Sequence, residues 1–438
     1  MKHVTSKAAR DKQVIEAIVR RFGPVSRVQI HDLTHLRPTT ITNLVRQLFR
    51  EGKLVEAGRA ANPTGRKQTL LRLNTDHGFV VALEFDEEAV AAGVLDVQLR
   101  VREVLTEPTD LGRGREGLLN QLKACARKVM AKSKLSPKQV VGMGIADPGL
   151  VDSRRGITTF SSTIEFWKQV PLKRAFEAEF KVPALVESKT RAKTVAERML
   201  GAGNKLENLA YIDYGVGIGA GVVVDGRLLY GQGCAVGEFG HTHVTEGGPA
   251  CQCGSLGCLE AVVGTRAVLA KIRQALAEGA HSQVLAMANG DPRNLTAGMV
   301  LKAAKAGDKI CSHIVTELAN YLGLGIANLV NLFNPGMVIL DKRLELAGDL
   351  LRDQILQVVK QQALSNAVEG LSVTFGTVEN EPGLLGIGLL VLDKHFEIPA
   401  LSPPRFMIEP VQLTPAGASP SVSVSSAASG SSKESQVA

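Results

Sequence analysis

Three short helices and a β-hairpin, followed by a two-lobed α/β domain, is the fold class that this chain predicts, and three observations predict it. Positive charge is concentrated at one end: residues 1–78 hold 15 Lys and Arg against 6 Asp and Glu, and the rest hold 36 against 37. Within that basic segment, apolar residues recur at helical spacing in short blocks that close on turn residues. Beyond Gly78 the pattern changes to strands alternating with helices, and the alternation restarts near residue 206. A composition of 45% hydrophobic and 21% charged residues over 438 positions excludes a chain dominated by disorder. No apolar run approaches the roughly 20 residues needed to span a bilayer. The opening MKHVTSKAARDKQ has no apolar stretch behind its charges, so a cytoplasmic location with reduced thiols is expected.

The first block, residues 12–22, carries Val14, Ile15, Ile18 and Val19 on one helical face and ends at Gly23-Pro24. Ser26 opens a second helix, with Gln29 placed as in a capping box, Ile30 and Leu33 inward and Arg27 at its start. A third helix begins near Pro38, a residue suited to a first turn, and turns Ile41, Leu44, Val45 and Leu48 inward. Its other face presents Thr39, Thr42, Asn43 and Arg46. Two extended pieces, residues 53–56 and 68–73, flank a Gly/Asn/Pro tip that exposes Arg66 and Lys67. Helix, helix-turn-helix and β-wing together, with the charge excess, predict a winged module that binds double-stranded DNA. The third helix would enter the major groove, where the Asn43 amide matches adenine and the Arg46 guanidinium matches guanine. The wing at Arg66 and Lys67 would lie near the backbone or minor groove.

From residue 79 the run FVVALEFDEEAVAAGVLDV gives two strands, LLNQLKACARKVMAK a helix, VVGMGIADPGLV a strand entering a turn, and VPALVES a strand before a helix from Lys189 to Leu200. The second lobe, residues 206–400, starts with a glycine-punctuated hairpin, LAYIDYGVGIGAGVVVDGRLL. It continues through helix at 297–331, a buried strand GMVILD and a helix at 349–362. The final helix is expected to return to the first lobe, residues 79–205, and the Ser/Ala/Pro-rich stretch 401–438 is expected to be a disordered tail. Two successive lobes imply a cleft between them.

One segment concentrates chemistry. GEFGHTHVTEGGPACQCGSLGCLE, residues 237–260, sets His241 ten residues before Cys251, then Cys253 two and Cys258 five further on. One imidazole and three thiolates make a saturated tetrahedral set for zinc, and a saturated site is structural. A disulfide is the main alternative and is unusual in a reducing compartment. A nucleic-acid finger is disfavoured by the tight CxC spacing and by the position outside the basic region.

These residues carry a family resemblance. GEFGH followed by CxCGxxGCLE resembles the signature of the ROK family, which unites sugar kinases and sugar-responsive repressors on a two-lobed actin-like/hexokinase-like fold. SRVQIHDLTHLRPTTITNLVRQLFREGKLVEAG with TGR is similar to the winged helix of the repressor branch, and GIADPGLVD, IDYGVGIGAGVVVDG, NPGMVIL and GLLGIGLL resemble successive family segments. The resemblance implies that His241 binds zinc through one nitrogen and offers the other to a sugar hydroxyl, with Glu238 and Glu260 accepting further hydroxyls. Ser162, Thr163, Ser188 and Lys189 complete the expected pocket. It also implies a homodimer or higher homo-oligomer on a two-fold symmetric operator.

The sequence departs from the family's kinases in three places. Their catalytic aspartate stands in a V-E-N-D run, which reads VESKT here, so that Lys189 replaces the base, and an ammonium cannot do a carboxylate's work. Their first phosphate loop, D-x-G-G-T, reads EFDEE, and Asp86, Glu87 and Glu88 would repel phosphates. Their glycine run near the adenine reads LDKRL, with Asp341, Lys342 and Arg343. The expectation is a non-enzymatic regulator of carbohydrate genes, with a residual kinase or a partner-controlled regulator with a dead pocket as the alternatives. Lys189 has three readings: pairing with Glu238 or Glu260, serving as counter-charge to an anionic effector, or pointing to solvent. The second is favoured, because the hydroxyl-binding groups remain beside it.

Overall fold

In the computed structural model, described over residues 6–60, 68–379 and 381–396, the chain divides after Leu73 into two units. The division falls ahead of the expected boundary at residue 78, because the last strand of the first unit ends at Leu73 and Asn74 turns the chain, its side chain accepting from the Asp76 amide. The wing residues Arg66 and Lys67 and the stretch 401–438 lie outside the described residues.

The first unit holds α1 (Lys7–Phe22), β1 (Val25–Ser26), α2 (Arg27–Thr34), α3 (Pro38–Arg50), β2 (Leu54–Ala60) and β3 (Gln68–Leu73). Helix α1 starts earlier than its apolar periodicity indicates, because the Ser6 hydroxyl caps it by accepting from the Ala9 amide at 3.2 Å. Ser26 and Gln29 form the expected capping box. Val14, Ile15, Ile18, Val19, Ile30, Leu33, Ile41, Leu44, Val45 and Leu48 are all buried, so three amphipathic faces meet in one small core. The hairpin strand β2 runs past its expected end at residue 56, and β1 adds a short third strand to β3, with Val25 opposite Leu71.

The second unit opens with β4 (Phe79–Phe85), β5 (Ala89–Asp96) and β6 (Val101–Pro108), then α4 (Gly114–Lys132), β7 (Val140–Asp147), the small ribbon β8 (Leu150–Asp152) and β9 (Ile157–Phe160), α5 (Leu172–Phe180), β10 (Ala184–Ser188) and α6 (Lys189–Leu200). Five of these strands form a sheet in the order β10-β7-β4-β5-β6. Phe79, Val81, Leu83 and Phe85 share a core with Leu118 and Leu122 of α4 on one face. A second sheet, β13-β12-β11-β14-β15, is built from β11 (Leu209–Tyr214), β12 (Ile218–Val224), β13 (Arg227–Leu228), β14 (Met337–Leu340) and β15 (Ser372–Phe375). Around it lie α7 (Leu259–Val263), α8 (Thr265–Ala277), α9 (Val284–Met287), α10 (Ala297–Lys305), α11 (Lys309–Phe333), α12 (Asp349–Gln362) and α13 (Ser365–Val368).

The last helix, α14 (Pro382–His395), lies on β7 and β4 of the first sheet and along α6. Gly142 and Gly144 make room for it, since a Cβ on either would meet Val391 or Ile387 at 2.7 Å. Helix α6 packs in turn on β11 and β12 and so touches strands of both sheets.

Candidate functional site

A cleft of about 280 Å³ in the second unit is lined by residues of both sheets' loops. Ser162, Thr163, Ser188, Lys189, Glu238, His241 and Glu260 all line it, as do Asp86, Glu87, Asp213 and Arg343. Asp86 sits in the β4–β5 turn, its Oδ1 accepting from the Glu88 and Ala89 amides at 2.9 Å, so the turn itself aims the carboxylate. Lys189 opens α6 directly after β10, and Ser188 occupies the cap position without capping through its side chain.

The structure settles the partner of Lys189. Its Nζ donates to Asp86 Oδ2 at 2.9 Å, with only 11% of the side chain exposed. The pairing with Glu238 or Glu260 does not form, nor does the lysine point to solvent, and its counter-charge comes from within the chain. Burial opposes the ammonium, yet the Asp86, Asp213 and Glu84 charges hold its pKa above the ordinary lysine value. Burial likewise opposes the Asp86 carboxylate, and Lys189 outweighs it, holding that pKa at about 2. The β4–β5 turn and the start of α6 therefore compensate each other's charge.

A second network joins residues that the sequence reading did not connect. Lys193 on α6 donates to Asp213 at 2.9 Å and to Asp341 at 3.3 Å, while Arg343 donates to Asp341 at 2.9 Å and to Asp213 at 3.2 Å. The Tyr211 hydroxyl adds a bond to Asp341. Burial disfavours the Asp341 carboxylate, but the Lys193 and Arg343 charges keep its pKa well below the usual range. The Arg343 guanidinium lies against Gly215 of the glycine hairpin, where a Cβ would meet Nη1 at 3.2 Å. A charged residue in the fully buried strand β11 was the signal available in the sequence for Asp213. Gly219 of the same hairpin is held to glycine by close packing, its Cβ position being 2.8 Å from Thr190 Oγ1.

His241, Cys251, Cys253 and Cys258 converge, with one ligand atom from each lying within 4.8 Å of all the others. Cys251 Sγ is 3.6 Å from His241 Nδ1, and Cys253 Sγ is 3.7 Å from Cys258 Sγ. Bonds of about 2.3 Å to sulfur and about 2.0 Å to nitrogen around a tetrahedron put neighbouring ligand atoms about 3.5–3.8 Å apart, so the set fits a metal ion. The two sulfurs are too far apart for a disulfide, whose S–S length is about 2.0 Å. Burial and the neighbouring thiols push the Cys258 thiol up to about 12. Burial also acts on Cys253, but the Ser255 amide and the other thiols pull it down to about 7. With Nδ1 turned to the cysteines, His241 turns Nε2 toward Glu238, 3.9 Å away. Glu260 is fixed by accepting from the Ile218 amide at 3.0 Å.

In the first unit, Thr39, Thr42, Asn43 and Arg46 of α3 are exposed together on the face opposite its buried residues. Arg46 Nη1 donates to Asn43 Oδ1 at 3.5 Å, and the Thr42 hydroxyl is spent on the Pro38 carbonyl. Arg27 is half-buried, and its Nε has no hydrogen-bond partner among the described residues.

The ROK family model matches residues 83–394, so the chain belongs to the ROK family. It is 29% identical over 378 residues to the xylose repressor of Caldicellulosiruptor bescii, covering 86% of this chain and 93% of that protein. It is 34% identical over 257 residues to a glucokinase of Halalkalibacterium halodurans, covering 58% of this chain and 77% of the kinase. A solved ROK family transcriptional regulator, described as a homolog of E. coli MLC, superposes with a TM-score of 0.74 over 88% of this chain and 98% of its own, at 24% identity. The second unit thus has the family's actin-like/hexokinase-like fold.

Proposed function

We propose that the chain is a DNA-binding transcriptional regulator, a repressor of carbohydrate-metabolism genes, that senses a sugar in a kinase-like cleft without phosphorylating it. The observation that carries this reading is the ion pair between Lys189 and Asp86, set in a chain that also bears a basic helical module. A sugar kinase needs a carboxylate to take the hydroxyl proton and backbone N–H groups to hold phosphate. Here an ammonium holds the first position, a carboxylate the second, and each neutralises the other. Coverage supports the same reading, since the xylose repressor matches over nearly its whole length and the glucokinase over little more than half of this chain.

The first unit acts as a winged helix-turn-helix, with α3 in the major groove and Asn43 and Arg46 on base edges. A homo-oligomer presents two such modules to a two-fold symmetric operator. In the cleft, Glu238 and Glu260 accept sugar hydroxyls and His241 Nε2 meets a third. A zinc ion held by His241 Nδ1 and the thiolates of Cys251, Cys253 and Cys258 would have no open position, so its contribution is to fix these groups.

The test is a pair of assays on purified full-length protein. A thermal-shift screen of xylose, glucose and N-acetylglucosamine is expected to give a sugar-dependent rise in melting temperature. A coupled assay with the same sugars and ATP is expected to show no turnover. Turnover at kinase rates, or no sugar response at all, refutes the proposal.

A further inference from the structure

The wall of the cleft that carries Ser162 and Thr163 has no helix or strand of its own. It is the segment 161–167 between β9 and α5, so side-chain bonds must place it. At its far end the Trp167 indole N–H donates to Asp147 Oδ2 at 2.8 Å, and the Trp167 backbone N–H donates to the Ile164 carbonyl at 2.9 Å. Asp147 is the last residue of β7 and is fully buried. It also accepts from the Thr158 hydroxyl at 2.6 Å and from the Gly149 amide at 2.7 Å. Burial raises its pKa, and these three donors oppose that before the more distant Lys189 charge does. A buried carboxylate held by neutral donors costs free energy. What this one achieves is a junction of three pieces of chain: the end of β7, strand β9 and the segment's own Trp167.

At the near end, the buried Ser161 hydroxyl accepts from the Ile164 and Thr163 amides at 3.1 and 3.3 Å. The Thr163 carbonyl accepts from Arg266 Nη2 at 3.2 Å, so the segment reaches from the first sheet's loops to α8 beside the second sheet. Thr163 Cγ2 and Glu260 Oε2 each lie 3.4 Å from the position a Cβ would take on Gly217, which sets Thr163 against the glycine hairpin next to a hydroxyl-binding glutamate. Asp147 and Arg266 are not among the residues that line the cleft. Each acts on it through the segment between them.

We propose that segment 161–167 is a strap across the cleft, that Asp147 and Arg266 are the positioning residues that set it, and that an occupying sugar is reported at Trp167. The proposal rests on the sugar-sensing reading above and adds how the pocket is held and read. A wall fixed in advance by buried bonds contributes affinity that a loose one forfeits. A sugar between Thr163 and Glu260 bears on the strap, and the Ile164–Trp167 turn carries that load to the indole. Trp167 is the one tryptophan of the chain, so its emission reports this strap alone.

The test uses the full chain with xylose, glucose and N-acetylglucosamine, read by titration calorimetry and by tryptophan emission. A sugar that binds is expected to change the emission. Asp147→Ala is expected to weaken that sugar roughly tenfold or more and to remove the emission response, because the indole N–H loses its acceptor. Asp147→Asn keeps an oxygen for the indole and is expected to recover part of the loss. Arg266→Ala, a change at an exposed side chain, serves where the Asp147 variants fail to fold. It is expected to weaken binding roughly threefold or more while leaving the emission of the sugar-free protein unchanged. Wild-type affinity in Arg266→Ala or in a folded Asp147→Ala overturns the inference and leaves sugar sensing intact. So does an asparagine variant no better than the alanine one, or an emission that ignores a sugar detected by calorimetry. Absence of binding by every sugar overturns the sensing reading itself, and the inference with it.

Discussion

At the residue scale, the cleft is governed by where Lys189 places its charge. The ordinary carboxyl value for this aspartate is 3.8, and the folded state holds Asp86 at about 2. A depressed carboxyl pKa adds stability that is fully present above the unfolded value and disappears as pH falls through the folded one. The melting-temperature difference between the wild type and Asp86→Asn is therefore expected to be constant from neutral pH to about 5 and to shrink between about 4 and 2. A difference that grows on acidification would contradict the ion pair. The cysteines make a second residue-scale case. On the proposed zinc site, the full chain is expected to carry about one zinc, and Cys258→Ser, which removes one of three thiolates from the four-residue cluster, is expected to bring that well under one and to lower the melting temperature. Retention of stoichiometric zinc in that variant would assign the metal elsewhere.

At the element scale, helix starts were legible where a capping box, a first-turn proline or a strand-to-helix change of pattern marked them. Ser26 with Gln29, Pro38 and the VES-to-Lys189 junction all stand where the sequence puts them. The start of α1 was not legible from apolar spacing, because its first turn is held by the Ser6 cap and not by burial. Strand β6 escaped notice for a similar reason: VREVLTEP is an edge strand with no buried side chain and polar residues at half of its positions. Within the site, the metal ligands were legible because cysteine spacing is a local signal. The partner of Lys189 was not, since Asp86 is 103 residues away and pairing at that range depends on how β4 and β10 flank β7. The network of Lys193, Asp213, Asp341 and Arg343 was hidden in the same way, since Asp341 lies 148 residues from Lys193 and Arg343 lies 130 from Asp213. The packing of α14 gives an element-scale prediction. A Cβ on Gly386 would overlap the Ala192 carbonyl of α6, which is backbone and cannot give way. Gly386→Ala is expected to cost about 1–3 kcal/mol in denaturant unfolding, the usual range for overpacking. A loss below about 0.5 kcal/mol would mean that the two helices separate freely.

At the scale of the whole molecule, the chain joins a module suited to phosphate-backed DNA with a cleft suited to hydroxyls, and linkage ties the two. If a sugar lowers operator affinity by some factor, operator must lower sugar affinity by the same factor. A net positive excess confined to residues 1–78 is expected to make DNA binding salt-dependent, and Asn43→Ala with Arg46→Ala is expected to remove sequence preference while leaving most non-specific affinity, which phosphate contacts supply. The most direct test of the account is selection of bound duplexes from a random library at physiological salt, repeated with the sugar that stabilises the protein. The account predicts enrichment of one two-fold symmetric sequence, lost when that sugar is added and lost in the Asn43/Arg46 double variant. Enrichment of no sequence, or of a sequence indifferent to both the sugar and the double variant, would contradict it.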